Sequence, residues 1–302
     1  MRTLTLALLT TLTLGAVTGA HAADLDYGVL RGPDYEPEAP LIDWNGIYFG
    51  GHGGYTSAAM GFANSFQPLV ANALRATTAE TVLGASTLLS PQAVRVGGAS
   101  YGAFAGFNYQ FDETVVGVEV DYTRFERGGT TTDAIGRFKT TGDGFLETVS
   151  LSGLASTRIE DYGTIRARGG WAFGNLLPFV TGGLAIGRAQ VVDRVSINDY
   201  GYDQATYKAN VALTTGQPAY VNNFGYASFN QTNPANSRVA APTIVGRTTT
   251  KVVGGVTLGA GIEYALTQNI LLRGEYQYVL FNDFDGHKVN LNTVRGGAAV
   301  KF

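Results

Sequence analysis

The sequence predicts an all-β protein, an eight-stranded antiparallel transmembrane β-barrel with long extracellular loops and short periplasmic turns. Three observations carry that prediction. Eight segments alternate with period two between an apolar, aromatic-rich face and a polar one. The links between them are by turns short and long. Charged residues of both signs fall in the middles of these segments, on the face opposite the aromatics.

Composition agrees. Charged residues make up 15% of the 302-residue chain, against roughly 25% in soluble globular domains. There are 41 glycines, 11% aromatic residues and no cysteine, which excludes a disulfide framework or a thiolate metal site. A net charge of −3 offers no basic surface for nucleic acid.

The N-terminus reads as a secretory signal peptide over residues 1–22. Arg2 supplies the positive end, Leu4 to Val17 the apolar run, and Ala20-His21-Ala22 the small-x-small cleavage site. Residues 23–42 follow as a periplasmic linker rich in Pro and acids. Residues 43–302 are left for the barrel, and no other apolar run approaches the ~20 residues of a membrane helix.

The first strand, around "IYFGGHGGY", places Ile47, Phe49 and Tyr55 on one face and Tyr48 and His52 on the other. The second alternates Tyr101, Ala103, Ala105, Phe107, Tyr109 and Phe111 with Gly102, Gly106, Asn108 and Gln110. The third sets Val116, Val118, Val120 and Tyr122 against Glu119 and Asp121. In the fourth, Ile165, Ala167, Trp171 and Phe173 oppose Arg166 and Arg168. The fifth offers Val180, Leu184 and Ile186, and the sixth Val256, Leu258, Ala260, Ile262 and Tyr264 against Glu263. Leu272, Tyr276, Tyr278 and Leu280 oppose Arg273 and Glu275 in the seventh. The eighth ends the chain, with Val294, Ala298, Val300 and Phe302 against Arg295 and Lys301.

The links after the second, fourth and sixth strands are brief, near 112–114, 174–176 and 267–269. Those after the first, third and fifth are long, roughly 58–95, 127–156 and 192–249, and the last, "DFDGH", is short. Brief periplasmic turns with longer extracellular loops are the outer-membrane arrangement. The aromatics near strand ends (Tyr109, Phe111, Trp171, Phe173, Tyr264, Tyr276, Tyr278, Phe302) suit interfacial girdles. Glu119, Asp121, Glu263 and Glu275 balance Arg166, Arg168, Arg273 and Arg295 in sign. An Arg facing the lipid midplane costs about 2–4 kcal/mol, so the eight are expected in the lumen as a mutually neutralising network. Eight strands leave an interior that side chains can fill, so a wide aqueous channel is not expected. The glycines at 254, 255, 259, 261, 296 and 297 read as points of strand curvature.

"DWNGIYFGGHGGY", "GAGIEYALTQNILLRGEYQY" and "NTVRGGAAVKF" resemble the alphaproteobacterial outer-membrane β-barrel family, which includes opacity-type surface antigens and small porin-like proteins. The resemblance covers about 44–57 and 252–302 and identifies architecture. It implies a surface component seated in outer-membrane lipid. It also implies recognition by the barrel-assembly machinery, carried here by Ala298, Val300 and Phe302. Some relatives bind haemin, and in some an N-terminal Ala-Asp is joined to peptidoglycan, which points to Ala23.

Catalysis is not expected. The mature chain holds only His52 and His287, both placed near the extracellular rim by this reading, without a third catalytic member at useful spacing. No His/Cys/Asp cluster has metal-ligand spacing, so neither a metal nor a cofactor is expected. Tyr200, Tyr202, Tyr207, Tyr220, Phe224 and Tyr226 enrich the third long link in aromatics that either order it or offer a contact surface. The expectation is a structural barrel that presents surface loops, with a charge-filled lumen and a possible tie to the cell wall. A small-solute porin or a haemin-binding surface protein is the alternative, and the loop ligand is undetermined.

Overall fold

The computed structural model describes residues 42–302. The expected signal peptide, Ala23 and the linker up to residue 41 lie outside the described residues. The chain opens with β1 (Gly46–Gly61) and a link carrying two short helices, α1 (Gln67–Ala73) and α2 (Thr78–Leu83). Four strands follow: β2 (Val94–Phe111), β3 (Thr114–Thr140), β4 (Phe145–Trp171) and β5 (Leu176–Asp203). The next link holds α3 (Gln204–Val211) and the short strands β6 (Asn223–Phe224), β7 (Tyr226–Ser228) and β8 (Arg238–Val239). Strands β9 (Thr243–Ala265), β10 (Ile270–Phe281) and β11 (Lys288–Lys301) complete the chain.

Every ladder is antiparallel. The order β4-β3-β2-β1-β11-β10-β9-β5 is closed by pairing of β4 with β5, so eight staves form the barrel. Of the eleven strands, β6 only extends the β5 edge and β7 pairs with β8 in the loop. The final stave pairs with the first from Tyr48↔Lys301 to Gly61↔Lys288.

The apolar side chains of every stave face outward over the membrane stretch. Ile47, Val118, Ile165, Val180, Leu258 and Val294 are all exposed. Tyrosines crown that band on one side (Tyr55, Tyr101, Tyr122, Tyr276), and Phe111, Trp171, Phe173, Tyr264 and Phe302 border the other. These two belts match the interfacial anchoring expected of amphipathic rings.

The structure corrects the sequence reading of the long links. Residues 127–156 are not a loop: β3 and β4 continue through them and turn only at 141–144. The third link shrinks likewise to 204–242, because β5 and β9 run on. β3 and β4 have 27 residues each and β5 has 28, whereas a crossing takes about 9–11. The excess rises above the membrane as a tall four-stranded sheet.

Its alternation has the reverse polarity, apolar inward and polar outward. In the membrane, β4 points Ile165 and Ala167 out and Arg166 and Arg168 in. Above, it buries Ile159, Ala155, Leu151 and Val149 and turns Ser150, Ser152 and Arg158 to solvent. A β-bulge marks the change, with register shifts between Arg124 and Arg127 in β3 and between Ile159 and Asp161 in β4. Bulges re-aim the strand where its surroundings change from lipid to water.

The apolar concave face of that sheet is covered by the link between β1 and β2. Phe62, Phe66, Val70, Leu74, Ala79 and Leu89 pack on Val149, Leu151, Val191, Val195 and Ile197 as one buried cluster. Burying each such side chain contributes about 1.5–3 kcal/mol, so this segment is a folded lid. Phe66 fits because residue 153 is glycine; a Cβ there would come within 2.7 Å of its ring.

Candidate functional site in the barrel lumen

Inside the membrane stretch, period two sends the polar positions of each stave into the lumen, and the eight charged residues singled out above meet there. They form one continuous chain of alternating sign. Arg168 binds Glu263, and Glu263 accepts from Arg273 at 2.6 Å. Arg273 reaches Glu119 at 2.6 Å, and Arg166 bridges Glu119 to Glu275. Arg295 then lies 3.0 Å from Glu275 and 2.8 Å from Asp121. All of these side chains are almost completely enclosed.

Residues the sequence reading had not assigned to the network complete it. Tyr48 donates to Glu119 at 2.8 Å and accepts from Arg168 at 3.1 Å. The guanidinium of Arg273 lies 4.1 Å from the Phe104 ring centroid, and that of Arg168 lies 4.1 Å from the Phe179 centroid. These are cation–π distances. Thr181 accepts from Arg166 at 3.3 Å. Every one of the eight staves therefore contributes a side chain. An apolar ring on the otherwise polar face, Phe104 within "GAFAG", was the available sequence signal.

Both histidines depart from their expected place at the rim. His52 is buried, with Nε2 2.9 Å from Asp121 and 3.2 Å from Arg295. His287 is fully buried beneath the lid, 2.6 Å from Thr157 and 3.0 Å from Asp193. Arg247 and Lys251 extend this second cluster to Asp193 and Asp285. Among the described residues no group of three or more His, Asp or Glu side chains is arranged to hold a metal.

Below the network the lumen narrows onto Trp44, which is 0% exposed and packs with Tyr48, Phe104, Leu177 and Leu271. Lys301 lies inside and donates to the Asp43 carbonyl, whereas Val300 and Phe302 face outward. Ala298 shares their outward parity on β11. The glycines of β9 that point inward have a further reason to be small: a Cβ at Gly261 would meet the Phe179 ring at 2.7 Å. At the end of β5, Tyr200 packs on Tyr226 of the outer loop at 5.3 Å and Tyr202 on Phe229 at 5.6 Å, Tyr226 and Phe229 lie 5.0 Å apart, and Tyr220 stays exposed.

A closed barrel that is apolar and aromatic outside, charged inside, and tall at one end only is an outer-membrane β-barrel. Residues 13–302 match the family described as outer membrane protein beta-barrel domain, and the chain belongs to that family of surface antigens and porin-like proteins in the Gram-negative outer membrane. The chain is similar to the 31 kDa outer-membrane immunogenic protein of Brucella melitensis biotype 1, 30% identical over 298 residues and 94% of each chain. The protein of that description from Brucella suis biovar 1 matches to the same extent. Among solved structures, Ail, the attachment invasion locus protein of Yersinia pestis, aligns over 85% of this chain and 99% of its own at 11% identity, with a TM-score of 0.31. OprG of Pseudomonas aeruginosa aligns over 85% and 96% at 12% identity, with a TM-score of 0.33.

Proposed function

We propose that this protein is a closed structural barrel whose role is to carry a tall, loop-bearing β surface outside the cell, without transport or catalysis. One observation carries the reading: the lumen is filled at three successive levels. Trp44 and its neighbours fill the periplasmic end, the ion-pair chain fills the middle, and the lid fills the extracellular end. A solute would have to displace all three. The ion-pair chain is the hardest to part, because separating enclosed charges leaves each without its partner at a cost of several kcal/mol.

The same burial supports a non-enzymatic role. Thr157, His287 and Asp193 touch in a row, but His287 is 0% exposed and a substrate has no approach to it. A haemin reading loses its histidine ligands for the same reason. The wall-tie reading rests on Ala23 and a linker long enough to cross part of the periplasm. Mass spectrometry of muramidase-released peptides tests it, and recovery of only a free Ala23 amine would sink it.

Planar-bilayer recording of the purified protein tests the closed barrel. The expected result is silence; steady steps on the order of a nanosiemens, far above any leak through a filled eight-stranded interior, would overturn it.

A further inference from the structure

Besides the cluster around His287, where Thr157, Asp193 and Arg247 meet, the concave face of the extracellular sheet carries a second polar group at its upper end. Glu147 on β4 and Asp199 on β5 project from that face as diagonal neighbours, since Glu147 is in register with Gly201 and Val149 with Asp199. Glu147 is 3% exposed. The lid's two helices meet directly over the pair. The Ala79 N–H in the first turn of α2 faces the Glu147 carboxylate. Ala73 and Leu74 at the end of α1 line a cavity of about 310 Å³ together with Ile197, Asn198 and Asp199. One carboxylate oxygen of Asp199 is buried there without a hydrogen-bond partner.

A buried carboxylate beside a second, half-buried one needs either a cation or a proton. The surrounding elements supply no cation. On β3, Lys139 stands opposite Glu147 and Arg137 opposite Val149, but both side chains are exposed. Arg75, after α1, is exposed as well. On α2, Glu80 is engaged with Ser86 at 2.9 Å. Asp143, in the turn before β4, adds negative charge. Asp203 caps α3 through Thr206, and Lys208 of α3 donates to Gln204. Burial first, and Asp199 second, push the Glu147 carboxyl up to about 7, outweighing the Ala79 N–H, which favours the ionised form. Burial raises Asp199 too.

We propose that Glu147 and Asp199 form a proton-operated latch, which holds the α1–α2 lid on the extracellular sheet while they share a proton and loosens it when both ionise. The direction follows from linkage. Glu147 binds its proton more tightly with the lid docked than in water, where its ordinary value is 4.5. Docking is therefore strongest below that value and is lost as the pH rises through about 7. Ionisation places two like charges side by side under Leu74 and Ala79, and the helix junction is where the lid lifts. The two lower levels of the lumen contain neither residue and stay shut.

Amide hydrogen exchange of the full chain in lipid nanodiscs, corrected for the intrinsic pH dependence of exchange, tests the latch at about pH 5 and about pH 8. Peptides spanning 66–89 are expected to lose protection by about tenfold at the higher pH, with β10 unchanged. Glu147→Gln, which keeps the carbonyl and cannot ionise, is expected to hold the lid equally at both. Asp199→Asn removes the partner charge but leaves Glu147 buried and ionisable, so it is expected to reduce the pH effect without abolishing it, should the first variant assemble poorly. Equal protection of the wild type at both pH values would overturn the latch, as would an undiminished pH effect in the variants. Bilayer recording at the higher pH separates this from the closed barrel: conductance there would overturn the closed barrel while the exchange data still decide the latch.

Discussion

Arg295 and Asp121 meet across the lumen at 2.8 Å, and they join β11 to β3, two strands that share no ladder. The ion-pair chain is thus a set of braces across the barrel, where the hydrogen-bonded wall links only neighbours. Arg273 touches three carboxylates, Glu119, Glu263 and Glu275, and Arg166 reaches Glu119, Glu275 and Thr181 at once.

Arg166→Met should destabilise the folded barrel by about 3–5 kcal/mol, because Glu119 and Glu275 stay enclosed while each loses a cation. Arg273 and Arg295 still touch these carboxylates, so the loss should fall toward the lower end of that range. Urea unfolding in detergent, followed by the heat-modifiable shift of the band on a gel, measures it. A midpoint unchanged from wild type would mean that the braces carry no load.

The pair Arg168 and Glu263 allows the complementary test. Arg168→Met leaves Glu263 with Arg273 alone and Glu263→Leu leaves Arg168 enclosed without a carboxylate, whereas the double variant removes both. The double variant should lose less than the sum of the singles, with a coupling of about 0.5–3 kcal/mol. Strict additivity would show that the two residues do not act as a pair.

How much of this was legible in the sequence depends on which solvent a strand face meets. Over the membrane stretch, lipid outside and paired charges inside give strong contrast, so Val118 against Glu119 and Ile165 against Arg166 declared their faces. Above the bulge the outside is water and the inside is a core. The same periodicity then reads as Ser150 and Ser152 against Val149 and Leu151, which a search for outward apolar residues passes over. The lid was harder still. Its helices are 7 and 6 residues long, too short for helical periodicity to stand out. The sequence places His52 and His287 at the rim because a histidine in a loop or at a strand start is ordinarily solvated. Neither neighbour that buries them, Asp121 or Asp193, is close in sequence.

Gly153→Val should displace Phe66 and undo the lid while leaving the barrel folded. A side chain at residue 153 would enter the space of the Phe66 ring, which is 1% exposed and has no free direction to move. Overpacking of this kind costs about 1–3 kcal/mol. Limited proteolysis should then cut within 62–93, with the heat-modifiable shift preserved. Unchanged resistance to protease would argue against the lid's being seated through Phe66.

The last loop has a pH dependence of the opposite sense to Glu147. Asp285 lies 2.6 Å from Lys251 and 3.2 Å from Arg247, and the Lys251 hydrogen bond first holds its carboxyl below the ordinary 3.8. A depressed carboxylate contributes stability that is complete above its unfolded value and is lost as the pH falls through the folded one. The tether of residues 282–287 should therefore persist from neutral pH to about pH 4 and weaken only below it, with a contribution under about 1 kcal/mol for a partly exposed pair. Asp285→Asn should abolish that acid limb in exchange measurements on this loop. An unchanged acid limb would place its origin in another group.

Deleting Phe302 should separate assembly from stability. In the finished barrel the residue is 70% exposed, its ring stacks on Phe49 at 5.5 Å, and its N–H donates to Ile47 at 2.9 Å. Losing one edge hydrogen bond and one aromatic contact costs about 1–2 kcal/mol, little beside the long ladder that joins β11 to β1. We propose, on the resemblance of the closing segment, that Phe302 belongs to a signal read before closure. The truncated chain should accumulate unassembled several-fold over wild type in cells, while the portion that assembles should unfold within about 2 kcal/mol of it. Normal assembly of the truncation would remove the address from Phe302. A large loss of stability in the purified barrel would make its role structural instead.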